Sequence, residues 1–381
     1  MRAIRTMLVT TILVAGMVSC GNHQSESFQL WHEQQSFTYI ESGDNSNTRH
    51  YERVKSTPLL IDTIYRSMQG PLSSRAIYID EGRDDLIWLT GYNVQIRDEQ
   101  TGGVLPDGFL CHNNLNIANK SQFPWKVKTR GTSIRLVTLT EGQLAVNFPD
   151  GFGVPISGSQ SLKIASQVLN HNIPDINLKV FHDVEIEYLR QSQLTGPLIP
   201  LFQQSVSILK QESGPPGEYG TGPDCALHVV DTNGISNAPE SHTCEISFDQ
   251  ENFNPYADKY GRTFSAHWVI PMGKQVLRTN VTPILNLSFD TKIHYIGVHL
   301  HPFAKTLELR DATLDSLLFT AYVKDAAGRI GIEQIDHYSS EEGIAVYKDH
   351  AYELISTYEC TDSVNTHTAM AVMYLYLHDK Q

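Results

Sequence analysis

The sequence predicts an all-β protein built from two tandem antiparallel β-sandwich, jelly-roll-like domains. Three observations carry this expectation. Apolar or alternating runs of about 6–10 residues recur along the chain, a length suited to strands. Turn chemistry falls between them, as in Asp98-Glu99-Gln100-Thr101-Gly102-Gly103, Pro149-Asp150-Gly151 and Asp325-Ala326-Ala327-Gly328. The 381 residues also exceed the roughly 100–200 of one ordinary domain. A composition of 40% hydrophobic and 19% charged residues excludes a disordered, collagenous or coiled-coil chain.

The N-terminus reads as an export signal. Arg2 and Arg5 precede an apolar stretch from Met7 to Val18 that is too short to span a bilayer, so residues 1–19 read as a signal peptide. Val18-Ser19-Cys20 resembles a bacterial lipoprotein signal, which implies lipidation of Cys20. Gly21 in place of an acidic residue implies the outer membrane, so the expected location is the cell envelope, lipid-anchored and facing the periplasm. Residues 20–35 are a polar tether.

The N-terminal sandwich is expected over residues 36–193, with strands at Leu86–Arg97, Ser133–Leu139 and Lys179–Leu189. Gln160–Val168 hints weakly at a helix. The boundary falls at Gln193-Leu194-Thr195-Gly196-Pro197, and the C-terminal sandwich occupies 194–381. Its strands are Gln275–Thr282, Lys292–His301, Thr306–Arg310, Ala351–Glu359 and Met370–Leu377, with Lys210–Tyr260 as a long excursion.

A net charge of −13 with no basic cluster excludes a nucleic-acid partner. Export places the cysteines in an oxidising compartment, where Cys225 and Cys244, flanking a Gly/Asn/Ser/Pro-rich stretch, are a candidate disulfide. Cys111 and Cys360 can be buried thiols, pair together, or serve a metal.

His299 and His301 are two apart on a predicted strand, so both imidazoles share one face and can converge on a metal. Met370 opens the last strand, and a thioether beside two imidazoles favours copper, Cu(I) above all, over zinc. In the first domain His112 and His171 offer a second imidazole pair, with Cys111 next to it. No Gly-x-Ser-x-Gly elbow, phosphate-cradling Gly-rich loop or His-Glu-x-x-His helix occurs.

This pattern resembles the copper type II, ascorbate-dependent monooxygenases, the group of peptidylglycine α-hydroxylating monooxygenase and dopamine β-monooxygenase. The resemblance covers residues 85–380, best from Tyr295-Ile-Gly-Val-His299-Leu-His301 through Leu-Glu-Leu-Arg310, then Tyr358-Glu-Cys360 and Met370-Ala-Val-Met-Tyr374. It implies an oxygen-binding copper at His299, His301 and Met370, and an electron-donating copper at His112 and His171. Two coppers per chain, ascorbate or another reductant, dioxygen and a small-molecule substrate follow. No general-base carboxylate is required. Cys111-His112 replaces the family's His-His pair, either as a thiolate ligand or as a loss. Gly297 and Val372 stand where the peptide-amidating members place an arginine and a carboxamide, and only the substrate-contacting tyrosine matches, as Tyr374. The expected function is hydroxylation of a C–H bond of a small molecule. The alternatives are a catalytically silent copper-binding or ligand-binding lipoprotein, and an interaction module with no metal.

Overall fold

The computed structural model describes residues 47–80, 85–118, 135–220 and 256–380. Cys20, the signal segment and tether, and the proposed Cys225–Cys244 bridge lie outside the described residues.

The fold is all-β, in several sheets whose strands pair antiparallel except at one parallel seam. The first half carries β1 (His50–Lys55), β2 (Leu59–Ile61), β3 (Leu72–Tyr78), β4 (Leu86–Asp98) and β5 (Leu110–Ile117). It continues with β6 (Arg135–Thr140), β7 (Ala145–Asn147), β8 (Phe152–Ser157), β9 (Ser161–Val168) and β10 (Leu178–Arg190). The second half begins with β11 (Ile199–Ser207), β12 (Lys210–Ser213), β13 (Thr263–Ser265), β14 (Trp268–Val269) and β15 (Gly273–Asn280). A single turn of helix, α1 (Thr282–Leu285), leads into β16 (Thr291–Leu300), β17 (Ala304–Asp311), β18 (Ser316–Asp325) and β19 (Ile332–Ile335). The chain ends in β20 (Tyr338–Val346), β21 (Tyr352–Cys360), β22 (Thr368–Ala369) and β23 (Ala371–His378).

In the first half, the sheet β1-β10-β4-β8 faces the sheet order β3-β9-β5-β6. In the second, β11-β23-β16-β20 accompanies β15-β21-β17-β18-β19. The halves join edge to edge where β8 and β11 pair in parallel, with Ile199 opposite Phe152. Alternation decides which faces pack: in β10, Val180, His182, Val184 and Ile186 all point inward and are fully buried. One contiguous apolar cluster runs through both halves, from Val54 to Leu377.

Two expectations need correction. Gln160–Val168 is not helical but contains strand β9, whose Leu162 and Ile164 are buried with period two. Leu162, Ala165 and Val168 also recur at helical spacing, which is the source of the ambiguity. The strand expected over Gln275–Thr282 ends at Asn280, because Pro283 suits the first turn of α1 and lacks the N–H a ladder needs. The excursion from Lys210 is closed at its base by β12 pairing with β13.

The junction between the halves is polar and tightly fitted. Gln143 accepts the Val298 N–H at 2.8 Å and donates to the Tyr295 hydroxyl at 3.1 Å. Tyr376 donates to the Leu136 carbonyl, and Asn172 exchanges two 2.8 Å hydrogen bonds with the Ile330 backbone. Arg329 pairs with Glu141 at 2.5 Å and Asp107 at 3.2 Å. Gly142 makes the turn beside Glu141 with φ of +82°, and a Cβ there would lie 2.5 Å from Ile332, so both conformation and contact require glycine.

Candidate metal centre

Strand β16 lies between β23 and β20, and its register with β23 sets Leu300 opposite Ala371 and His299 opposite Val372. Carried one residue on, that register brings His301 opposite Met370. Residues directly opposite on antiparallel strands share a face, as do residues two apart. His299, His301, Met370 and Tyr374 therefore occupy one sheet face, with Tyr374 opposite Gly297. The His299 and His301 ring centroids are 5.2 Å apart and nearly perpendicular, and Met370 is 1% exposed.

The surroundings orient these groups. His301 Nδ1 lies 3.0 Å from the Thr368 carbonyl, an acceptor only, so Nδ1 carries the proton and Nε2 presents its lone pair. The Tyr358 hydroxyl donates to the Met370 carbonyl at 2.7 Å and accepts the His301 N–H at 3.5 Å, tying both strand ends together. Trp268 packs edge-on against Tyr358 at 5.7 Å.

The ring nitrogens themselves are left over. Both nitrogens of His299 and Nε2 of His301 are buried without a hydrogen-bond partner. A buried polar atom in that condition costs about 1–3 kcal/mol, and a bound ion is one way to satisfy it. Burial, reinforced by neighbouring imidazoles, holds His299 well below the ordinary histidine range and His301 at about 4. Both rings are thus neutral at physiological pH, the form that binds a metal.

The first-half candidates approach the same junction. Cys111 and His112 lie on β5, whose eight residues are all buried, and His171 follows β9. The field of His112 acts on His299, and those of Cys111 and His171 act on His301. His171 Nε2 is also buried without a partner, and burial lowers this histidine to about 4. No disulfide joins Cys111 to Cys360 among the described residues; both are buried. Nor, among the described residues, do any three His, Cys, Asp or Glu side chains stand grouped to hold a metal ion. The donor set that the register brings to one face is two imidazoles and a thioether.

His294, of opposite parity, sits at a bulge between Ile293 and Tyr295 and packs on Phe152 at 4.2 Å and His378 at 6.1 Å, away from this face. Sequence reasoning missed His182 and took His267 for a surface or packing residue. His182 is fully buried beside Asn113, whose Nδ2 reaches its Nδ1 at 3.1 Å and Ser166 at 2.9 Å. Its signal was the alternation Val180-x-His182-x-Val184. His267 precedes the two-residue strand β14, too short to carry any periodicity.

No family model matches the chain, and no curated protein does. Among solved structures it is similar to peptide-N(4)-(N-acetyl-β-D-glucosaminyl) asparagine amidase at 7% identity and TM-score 0.32, over 87% of this chain and 97% of that one. It is likewise similar to the major capsid protein P2 of bacteriophage PM2 at 8% identity and TM-score 0.31, over 86% and 98%. Likenesses this distant carry no functional argument. No helix among the described residues is long and apolar enough to cross a membrane.

Proposed function

We propose that the chain is a copper-dependent monooxygenase that hydroxylates a C–H bond of a small molecule, with its principal metal centre on His299, His301 and Met370. The observation that carries this reading is the set of buried, unpartnered imidazole nitrogens sharing a sheet face with a thioether. Neutral imidazole together with soft sulfur suits copper in both oxidation states better than zinc. Copper bound there supplies one-electron chemistry with dioxygen, ascorbate or another reductant being co-substrate.

The chain's own residues do the positioning. Thr368 fixes the tautomer of His301, and Tyr358 fixes the backbone of both His301 and Met370. Val298, Leu300 and Ala371, buried on the opposite face of the sheet, pack behind the ligand-bearing strands. His112 and His171, with Cys111, are the proposed seat of a second copper, and Tyr374 of a substrate contact. Peptide amidation does not fit, because Gly297 offers no side chain to grip a carboxylate, and a Cβ there would already touch Gln143 Nε2 at 3.6 Å. Attachment through a lipidated Cys20 in the cell envelope belongs to the same proposal.

A second reading is a catalytically silent copper-binding lipoprotein. The burial of His299 and His301, each 3% exposed, favours it, since a catalytic metal keeps an open position. Copper stoichiometry and ascorbate-driven oxygen uptake separate the two. Two coppers with uptake support the enzyme, and copper binding without uptake supports the silent binder. Unchanged copper content in a His299→Ala/His301→Ala variant defeats both.

A further inference from the structure

A cavity of 240 Å³ lies on the seam between the halves, where residues 148–152 of the first half meet the chain at 195–198. None of the candidate copper ligands lines it. Its floor is apolar: Phe148, Phe152 and Leu189 are each less than a tenth exposed. Its rim is charged, since Arg49 and Asp150 line it too. An apolar hollow with a few convergent polar groups, set between two packed units, is the usual make-up of a small-molecule site. The volume equals that of about eight waters at roughly 30 Å³ each, room for a molecule of about ten non-hydrogen atoms.

The two rim charges are unequally held. Arg49 commits Nη1 to Glu187, whose Oε1 also accepts the Thr90 hydroxyl at 2.9 Å. Its Nη2 meets Asp150 at 3.4 Å, and the Asp150 side chain is 85% exposed. A pair that long and that exposed contributes little to folding, so either member can exchange its partner for a ligand's opposite charge at small cost. Asn47 accepts the N–H and the hydroxyl of Thr195, at 2.7 and 3.0 Å, which fixes the linker against the rim.

A lone carboxylate at Arg49 would sit against Asp150, and a lone ammonium at Asp150 would sit against Arg49. A molecule that carries both charges answers both residues. The ammonium and carboxylate of an α-amino acid are about 3 Å apart, close to the spacing at the rim, and the side chain leaves from the carbon between them. We propose that this cavity binds a free α-amino acid with an apolar side chain, its carboxylate on Arg49, its ammonium on Asp150 and its side chain on Phe148, Phe152 and Leu189. The site is independent of the copper reading.

The test titrates the full chain with L-leucine by calorimetry, beside three probes that each lack one feature. Glycine lacks the side chain, isocaproate the ammonium and isopentylamine the carboxylate. Leucine is expected to bind saturably and each probe roughly tenfold more weakly or worse, the worth of one charge-assisted contact or one buried aliphatic side chain. Asp150→Asn should lose roughly tenfold for leucine and bind isocaproate no more weakly, because that probe offers Asp150 no charge. Leu198→Trp, which fills the cavity and keeps both rim charges, should abolish leucine binding, and melting checks that each variant folds. His299→Ala/His301→Ala should bind leucine as the unaltered chain does; loss of binding there would put the amino acid on copper instead and overturn the proposal. The absence of saturable leucine binding, equal binding of leucine and its probes, or an unchanged leucine affinity in Asp150→Asn would overturn it as well.

Discussion

Gln143 reaches across from the first half and accepts the backbone N–H of Val298, one residue before His299. Strand β20 pairs with β16 only as far as Ile296, so beyond that point this edge of β16 needs another acceptor, and Gln143 supplies it. Gln143→Ala leaves the Val298 N–H unsatisfied in a buried site and takes a donor from the Tyr295 hydroxyl, which keeps only its 3.4 Å bond to the Ala145 carbonyl. A loss of about 1–3 kcal/mol is expected, read as a lower urea midpoint with an unchanged slope. Gln143→Glu, which keeps the acceptor, loses less at acid pH than at neutral pH.

Tyr358→Phe tests whether the hydroxyl positions the strand ends that carry His301 and Met370. The ring and its packing against Trp268 remain, but the Met370 carbonyl loses its donor. The variant is expected to fold and to bind copper about 10–100-fold more weakly, as when other orienting partners are removed. Equal copper affinity in a folded variant would show that Tyr358 only packs.

His182 predicts a pH dependence of stability. Burial lowers it from the ordinary histidine value to about 3, so between pH 6.5 and 3 the unfolded chain binds a proton the folded one refuses. Stability therefore rises with pH in that window and is lost as pH falls through it, by up to about 1.4 kcal/mol per pH unit for one group. Urea unfolding from pH 7 to 4 should show a shallower decline in His182→Gln than in the unaltered chain.

Glu141 acts in the opposite sense. Burial raises it to about 7 despite the opposing pull of Arg329. Between pH 4.5 and 7 the folded chain keeps a proton that the unfolded one has released, so this group costs stability as pH rises. Arg329→Met removes the partner of a buried carboxylate. Because Arg329 is 28% exposed, the expected loss at pH 8 is about 2 kcal/mol, below that of a fully buried pair, and it should shrink at pH 5. Equal losses at both pH values would defeat the argument.

The long strands were legible because their residues obey one rule at a time: β4, β10 and β16 are β-branched or alternating over eight or more positions. Strand β9 was not, since Leu162, Ala165 and Val168 satisfy a helical spacing as well. That His299 and His301 share a face follows from spacing alone, whereas the nearness of Met370 depends on a register seventy residues away, which local pattern does not encode. The approach of Cys111, His112 and His171 to His299 and His301 depends on how Gln143, Arg329 and Asn172 fit the halves together. Those contacts join residues more than 150 apart.

The parallel seam of β8 and β11, where the Ile199 N–H donates to the Gly151 carbonyl at 2.8 Å, has a mechanical consequence. A sheet continuous through both halves resists shear along its whole width. The halves cannot swing apart as a clamshell without tearing backbone hydrogen bonds, so the junction between them opens only by side-chain movement or by breathing of loops. Amide exchange at Ile199 should accordingly be among the slowest outside the two cores.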